Sequence, residues 1–266
     1  MNHRWPLEMA SATHTGMVRM QNEDMLHADP VRGYAILADG MGGYNAGEIA
    51  SQIAVTSIVA GMEDACFAAG ERFDDAAARQ FLERQVLVAN AAIYRAAQGE
   101  VRYAGMGTTL VIAMWYDDRM VVGHVGDSRL YRLRSERMEQ ITRDHSVLQE
   151  QIDSGLISRE AARYAPHKNL VTRALGIDER VQVETAAYGV EQDDVYLLCS
   201  DGLSDMVEQE DMRSTLCLLK ANLPLAAQNL VQQANDNGGR DNISIILVHV
   251  SGHGTPHDRD FASPTG

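Results

Sequence analysis

Three times in this chain an aspartate stands at the end of an apolar, strand-like run, twice just after it and once just before it. Asp39 closes the run 34–38 and opens Asp39-Gly40-Met41-Gly42-Gly43. Asp201 closes 196–200 and stands before Gly202. Asp241, beside Asn242, precedes the apolar run that begins at Ile243. Adjacent strands of one sheet would bring these acids to a single edge. Carboxylates gathered in this way repel one another and persist only beside positive charge. An all-oxygen donor set selects hard divalent cations, magnesium or manganese, over zinc or copper. Two such ions side by side activate water against a phosphoester.

Hydropathy patterning places these runs in a larger order. Residues 33–38 predict a buried strand. Helices are predicted over 46–69, with Ile49, Ile53, Val55, Ile58 and Val59 at helical spacing, and over 74–97, with Asp74 and Asp75 as start signals. The runs 108–116, 120–125 and 129–134 are β-rich and broken by Asp117-Asp118 and Gly126-Asp127-Ser128, the pattern of an antiparallel meander. A short helix over 145–154 leads into polar, irregular sequence at 155–168, a candidate flap. Strands over 181–188 and 195–200 follow, then helices over 209–220 and 225–235, the second with Pro224 at its start. The strand 243–250 comes last. Strands do not alternate one-to-one with helices, so a doubly wound parallel sheet is excluded. The order predicts an α+β fold: a four-layer αββα sandwich of two antiparallel β-sheets flanked by helix pairs. One domain spans 1–252, with a flap at about 145–175, and 253–266 form a Gly-, Pro- and His-rich disordered tail.

Composition narrows the function classes. With 45% hydrophobic residues among 266, the chain can fill a sizeable core. A formal charge of −14 argues against nucleic acid, whose phosphate backbone needs clustered Lys and Arg. No apolar run reaches the roughly 20 residues that span a bilayer. The N-terminal residues lack the apolar centre of a secretory signal. Cys66, Cys199 and Cys217 are sparse and odd in number, the usage of reduced thiols in a cytoplasm. The expectation is a cytoplasmic monomer with no membrane partner.

Ahead of these runs lies Arg19-Met20-Gln21-Asn22-Glu23-Asp24. Its Arg offers a planar fork for two phosphate oxygens. Taken with Thr15-Gly16-Met17-Val18-Arg19, Gly107-Thr108-Thr109, Gly126-Asp127-Ser128-Arg129, Ser200-Asp201-Gly202-Leu203 and Asp241-Asn242, the ordered series resembles the motifs of metal-dependent protein phosphatases of type 2C (PPM), in their compact bacterial form. The resemblance covers about residues 10–250. It implies hydrolysis of phosphoserine and phosphothreonine in proteins, with Mn2+ or Mg2+ as two core ions and no phosphoenzyme. Asp39 would bridge both ions, the Gly40 carbonyl would join one, and Asp201 with Asp241 would hold the other. Glu23 would act through bound water, Arg19 would clamp the substrate phosphate, and Asp24 and Asn242 would support the ligands. Asp127, Asp201 and Asp205 match a third, weaker ion. Phosphorylated substrates of a Ser/Thr kinase are the implied partners.

One position departs from many eukaryotic members of that family, which carry a histidine, proposed as general acid, directly after the Asp-Gly pair. Here Met41 stands there, and a thioether donates no proton. Other patterns are decoys. Cys66 and Arg72 have the spacing of a cysteine phosphatase loop, but Cys66 follows a helical pattern and Glu71 would oppose phosphate. Gly40-Met41-Gly42-Gly43 has Asn45 where a dinucleotide loop needs its third glycine. His249, His253 and His257 read as tail residues, and His145 as structural. Two rival functions remain: a catalytically silent phosphoprotein-binding module on the same scaffold, and another metallohydrolase. The first has no need of a charge-repelling acid cluster; the second commonly uses histidine ligands, absent from these motifs.

Overall fold

Period-two alternation within continuous apolar runs builds this molecule in layers. The computed structural model describes residues 5–43, 46–67, 74–158, 161 and 170–252. One sheet contains β1 (Leu7–His14), β7 (Arg129–Arg134), β8 (Arg137–Gln140), β10 (Val195–Cys199) and β11 (Ile243–Val250) in the order β1-β11-β10-β7-β8. The other contains β2 (Asp24–Asp29), β3 (Tyr34–Met41), β5 (Leu110–Tyr116), β6 (Arg119–Val125) and β9 (Glu184–Gly189) in the order β2-β3-β5-β6-β9. The short β4 (Gly107–Thr108) pairs with the end of β3. These pairings are antiparallel.

Successive side chains on a strand point to opposite faces, so each central strand feeds two cores. In β5, Val111, Ala113 and Trp115 face the space between the sheets, while Leu110, Ile112 and Met114 face a helix pair. In β10, Tyr196 and Leu198 face inward, while Val195, Leu197 and Cys199 face the opposite helix pair. Strands buried on both faces read as unbroken apolar runs, which is why they were legible.

The first helix pair is α1 (Ala46–Phe67) and α2 (Asp75–Gly99). Ala46, Ala50 and Ala54, one turn apart and fully buried, let α1 lie close on its sheet. Asp74 caps α2 by accepting the Ala77 N–H at 2.7 Å. A short α3 (Val147–Asp153) leads away from β8, and the single-turn α4 (Asp201–Ser204) follows β10. The second pair is α5 (Gln209–Leu219) and α6 (Leu223–Asp236), where Asn222 caps and Pro224 occupies the first turn. The αββα expectation holds.

Three expectations need correction. β1 and β2 have no counterpart among the predicted strands, because both are partly exposed edge strands with polar or small residues. The predicted strand 181–188 is Glu184–Gly189. His249 is no tail residue: it sits in β11, opposite Glu8, with Nε2 3.4 Å from Asp193. Cys66 lies in α1, while Arg72, most of the candidate flap and the tail from 253 lie outside the described residues. No described helix is long and apolar enough to cross a membrane.

Candidate metal centre

The three sentinel acids do not share a sheet. Asp39 belongs to β3, whereas Asp201 follows β10 and Asp241 precedes β11 in the facing sheet. β10 and β11 run antiparallel, so the end of one lies beside the start of the other; Ser200 N–H donates to the Ser244 carbonyl at 3.1 Å. The face-to-face stacking of the two sheets, rather than adjacency within one, brings the carboxyls together. Asp24 joins them because β2 pairs with β3 in a register that sets Asp24 opposite Asp39.

Backbone hydrogen bonds fix Asp39. Its N–H donates to Thr109 Oγ1 at 3.2 Å, and its carbonyl accepts from the Thr109 N–H and the Thr108 hydroxyl, each at 2.8 Å. Thr109 Oγ1 lies 2.7 Å from Ser128 Oγ, which links Asp39 to the turn that carries Asp127. Gly40 donates its N–H to the Glu23 carbonyl at 3.2 Å. A Cβ at Gly40 would sit 2.2 Å from the Gly47 carbonyl oxygen of α1, so only glycine fits there.

Asn242 holds the N-terminal loop against β11. Its Oδ1 accepts the Glu23 N–H at 2.8 Å, and its Nδ2 donates to the Thr15 and Gln21 carbonyls at 2.9 and 2.8 Å. Arg19, half exposed, donates from Nη2 to Asp241 Oδ2 at 2.6 Å. Ser200 Oγ donates to Asp24 Oδ2 at 3.0 Å. Asp24 Oδ1 is buried and has no hydrogen-bond donor. Glu23, Asp24, Asn242 and Arg19 therefore lie around Asp39, Asp201 and Asp241.

Electrostatics identify what such a cluster can hold. Burial, then repulsion from Asp24, Asp201, Asp127 and Asp241, pushes the Asp39 carboxyl well above the usual range. Burial and Asp127, Asp205, Asp241 and Asp24 do the same to Asp201. Asp39 and Asp201 nevertheless keep part of their surface open to the cleft, so solvent moderates the repulsion. Burial raises Glu23, against the pull of Arg19. Burial and Asp144 raise Asp127, against the pull of Arg129. The donors are carboxylate and carbonyl oxygens, with no imidazole or thiolate among them. That set fits hard divalent cations, whose charge would relieve the repulsion and satisfy the orphaned Asp24 oxygen through a bound water.

A cavity of about 270 Å³ opens beside this cluster, lined by Asp127, Asp201, Asp205, Arg129 and Asp144. Arg129 is clamped by Asp144, Nη2 to Oδ2 2.6 Å, and by the Tyr131 hydroxyl at 3.0 Å. Several supporting residues were not read from sequence as part of the site. Ser51 donates to the Glu23 carbonyl at 2.6 Å, Ser244 N–H donates to Ser200 Oγ at 3.0 Å, and Asp144 holds Arg129. The available signal was a hydroxyl inside an apolar run, as in Ile243-Ser244-Ile245. His145 stands behind the Asp127 turn, packed on His124, and does not face the acids from solvent.

Fold and donor set together define a hydrolase scaffold built around divalent metal. The chain belongs to the protein phosphatase 2C family of metal-dependent serine/threonine phosphatases, whose sequence profile matches residues 13–234. It is similar to serine/threonine phosphatase stp of Listeria innocua, 37% identical over 240 residues that cover 89% of this chain and 93% of that one. Among solved structures it is similar to PstP/Ppp of Mycobacterium tuberculosis, with TM-score 0.84 and 33% identity over 92% of this chain and 99% of that one. The catalytic domain of PstP in complex with two manganese ions gives a TM-score of 0.82 at 33% identity, over 92% and 99% of the two chains.

Proposed function

We propose that this chain hydrolyses phosphoserine and phosphothreonine in proteins with two divalent ions held by Asp39, the Gly40 carbonyl, Asp201 and Asp241. The convergence of these acids from two sheets carries the proposal. When bound, such ions supply an activated water for in-line attack on phosphorus and positive charge for its oxygens. Asp39 feels the charge of Asp24, Asp201, Asp127 and Asp241, a central place that suits it to serve both ions. Glu23 lies at the rim and acts through water. Asp24 and Asn242 keep the β2–β3 and β11 ends in register.

Arg19 is a cation at the exposed side of the site. Half exposed and tied by one bond to Asp241, it can turn its remaining N–H groups onto a phosphoryl dianion. A covalent phosphoenzyme is not expected: Cys199, close to Asp201, is a buried thiol pushed up to about 12 by that burial. Met41 offers no proton and both nitrogens of His145 are engaged, so solvent protonates the leaving alkoxide. Asp127, Asp201 and Asp205 would hold a third, weaker ion at the cavity mouth. Manganese is the cation of choice for the assay, magnesium the alternative, and phosphoproteins made by a Ser/Thr kinase are the substrates of a cytoplasmic monomer.

Release of phosphate from a phosphothreonine peptide tests this reading. Asp39→Asn and Asp201→Asn should each lower turnover by orders of magnitude while circular dichroism stays unchanged. Near-normal rates in either variant would overturn the assignment.

A further inference from the structure

We propose that His145 is a positioning residue for Asp127, holding the Gly126–Asp127 turn and tying it to the base of the segment beyond α3. The proposal rests on Asp127 being a metal ligand. Two hydrogen bonds lock the pair reciprocally: His145 N–H donates to the Gly126 carbonyl at 2.9 Å, and Gly126 N–H donates to His145 Nδ1 at 3.1 Å. Gly126 has φ +103°, and a Cβ there would meet Thr109 Cβ at 2.7 Å. Only glycine fits this turn, and His145 bonds both polar groups of Gly126.

An Nδ1 that accepts a backbone N–H fixes the tautomer. The ring proton sits on Nε2, which donates to Glu184 Oε2 at 3.2 Å. His145 also stacks on His124, with ring centroids 4.7 Å apart and planes 14° apart. His124 stands opposite Glu184 in the β6–β9 register, so ring and carboxylate together form one buttress. On its other side, the His145 carbonyl accepts the Thr172 N–H at 2.8 Å, Ser146 bridges Val171, and Val147 N–H donates to the Leu170 carbonyl at 2.9 Å. His145 thus joins the Asp127 turn, two strands of the second sheet and Thr172, and its neighbours Ser146 and Val147 extend that pairing to Val171 and Leu170.

Ligand atoms of His124, His145 and Glu184 all lie within 4.8 Å of one another, a separation that invites a metal reading. The hydrogen bonds argue against it. His145 could ligate through Nε2 only as an imidazolate, because Nδ1 remains an acceptor from Gly126.

Asparagine and glutamine divide the two ring functions. The Oδ1 of asparagine reaches the Nδ1 position and can accept from Gly126, whereas the glutamine amide reaches only the Nε2 position. Both lose the stack on His124, so a merely structural role predicts equal effects. The readouts are the amide exchange rate of Gly126 by NMR and the heat of manganese binding, with Asp127→Asn alongside. His145→Asn should keep the Gly126 amide protected and manganese binding within about threefold of wild type. His145→Gln should speed Gly126 exchange and weaken the manganese event that Asp127→Asn weakens by about 10-fold or more, the usual cost of losing a residue that orients a ligand. His145→Ala serves as the second acceptor-free variant if the glutamine form does not fold. Equal behaviour of the asparagine and acceptor-free variants would overturn the proposal. Manganese binding unchanged by Asp127→Asn would instead remove Asp127 as a ligand, and Gly126 exchange would still decide the clamp.

Discussion

Asp24→Asn should stabilise the metal-free protein at neutral pH. Burial, with repulsion from Asp241, pushes the Asp24 carboxyl up to about 6 from its ordinary 3.8, although the Ser200 hydroxyl donates to it. A group raised in the folded state binds its proton more tightly there. Its contribution is fully present below the unfolded value near 4 and is lost as pH rises through about 6. The difference of about 2 units, at about 1.4 kcal/mol each, sets a ceiling of about 3 kcal/mol. Solvent in the cleft reduces this to about 1–3 kcal/mol. Asparagine keeps an oxygen for the Ser200 hydroxyl and turns an N–H toward the acids. At about 2–4 °C per kcal/mol for a chain of this size, the melting temperature should rise by roughly 2–12 °C at pH 7.5 in chelator. The gain should vanish near pH 4, where wild-type Asp24 is protonated, and shrink in saturating manganese, which itself favours the carboxylate. Scanning calorimetry across pH, with chelator and with manganese, checks both. A variant whose offset from wild type is constant across pH, or is untouched by manganese, would refute the reasoning.

Arg19→Ala should lower kcat/KM on a phosphothreonine peptide by about 10–100-fold, the loss of one charge-assisted hydrogen bond of about 1.5–3 kcal/mol, and Arg19→Lys should not restore it, because a point charge lacks the fork. Steady-state kinetics at saturating manganese reads both variants, and full activity in either one removes the clamp. Stoichiometric alkylation of the native protein should leave Cys199 unmodified and turnover unchanged, since that thiol is buried and protonated. Loss of activity in step with modification of Cys199, followed by mass spectrometry, would reopen a thiol mechanism.

Sequence legibility followed burial. Strands covered on both faces, such as Leu110–Tyr116 and Ile243–Val250, appear as apolar runs and were located within a residue or two. Leu7–His14 and Asp24–Asp29 lie at sheet edges, carry Glu8, His27 and the flanking acids of β2, and gave no such signal. The cluster of Asp39, Asp201 and Asp241 was legible because glycine or asparagine beside a strand-end acid is a local pattern. Which sheet each strand joins is a long-range outcome, so the expectation of one shared edge failed where the pairing of β1 with β11 and of β2 with β3 decided it. Buttresses such as Asp144 on Arg129 and Ser51 on the Glu23 carbonyl join residues 15 and 28 apart, with no spacing rule to reveal them.

Anomalous diffraction from crystals grown in manganese tests the central claim most directly. Two peaks about 4 Å apart are predicted, the spacing of paired-ion hydrolases, with Asp39 touching both and Asp201 and Asp241 sharing one. Manganese elsewhere, or none, with the three carboxylates turned toward separate partners, would contradict it.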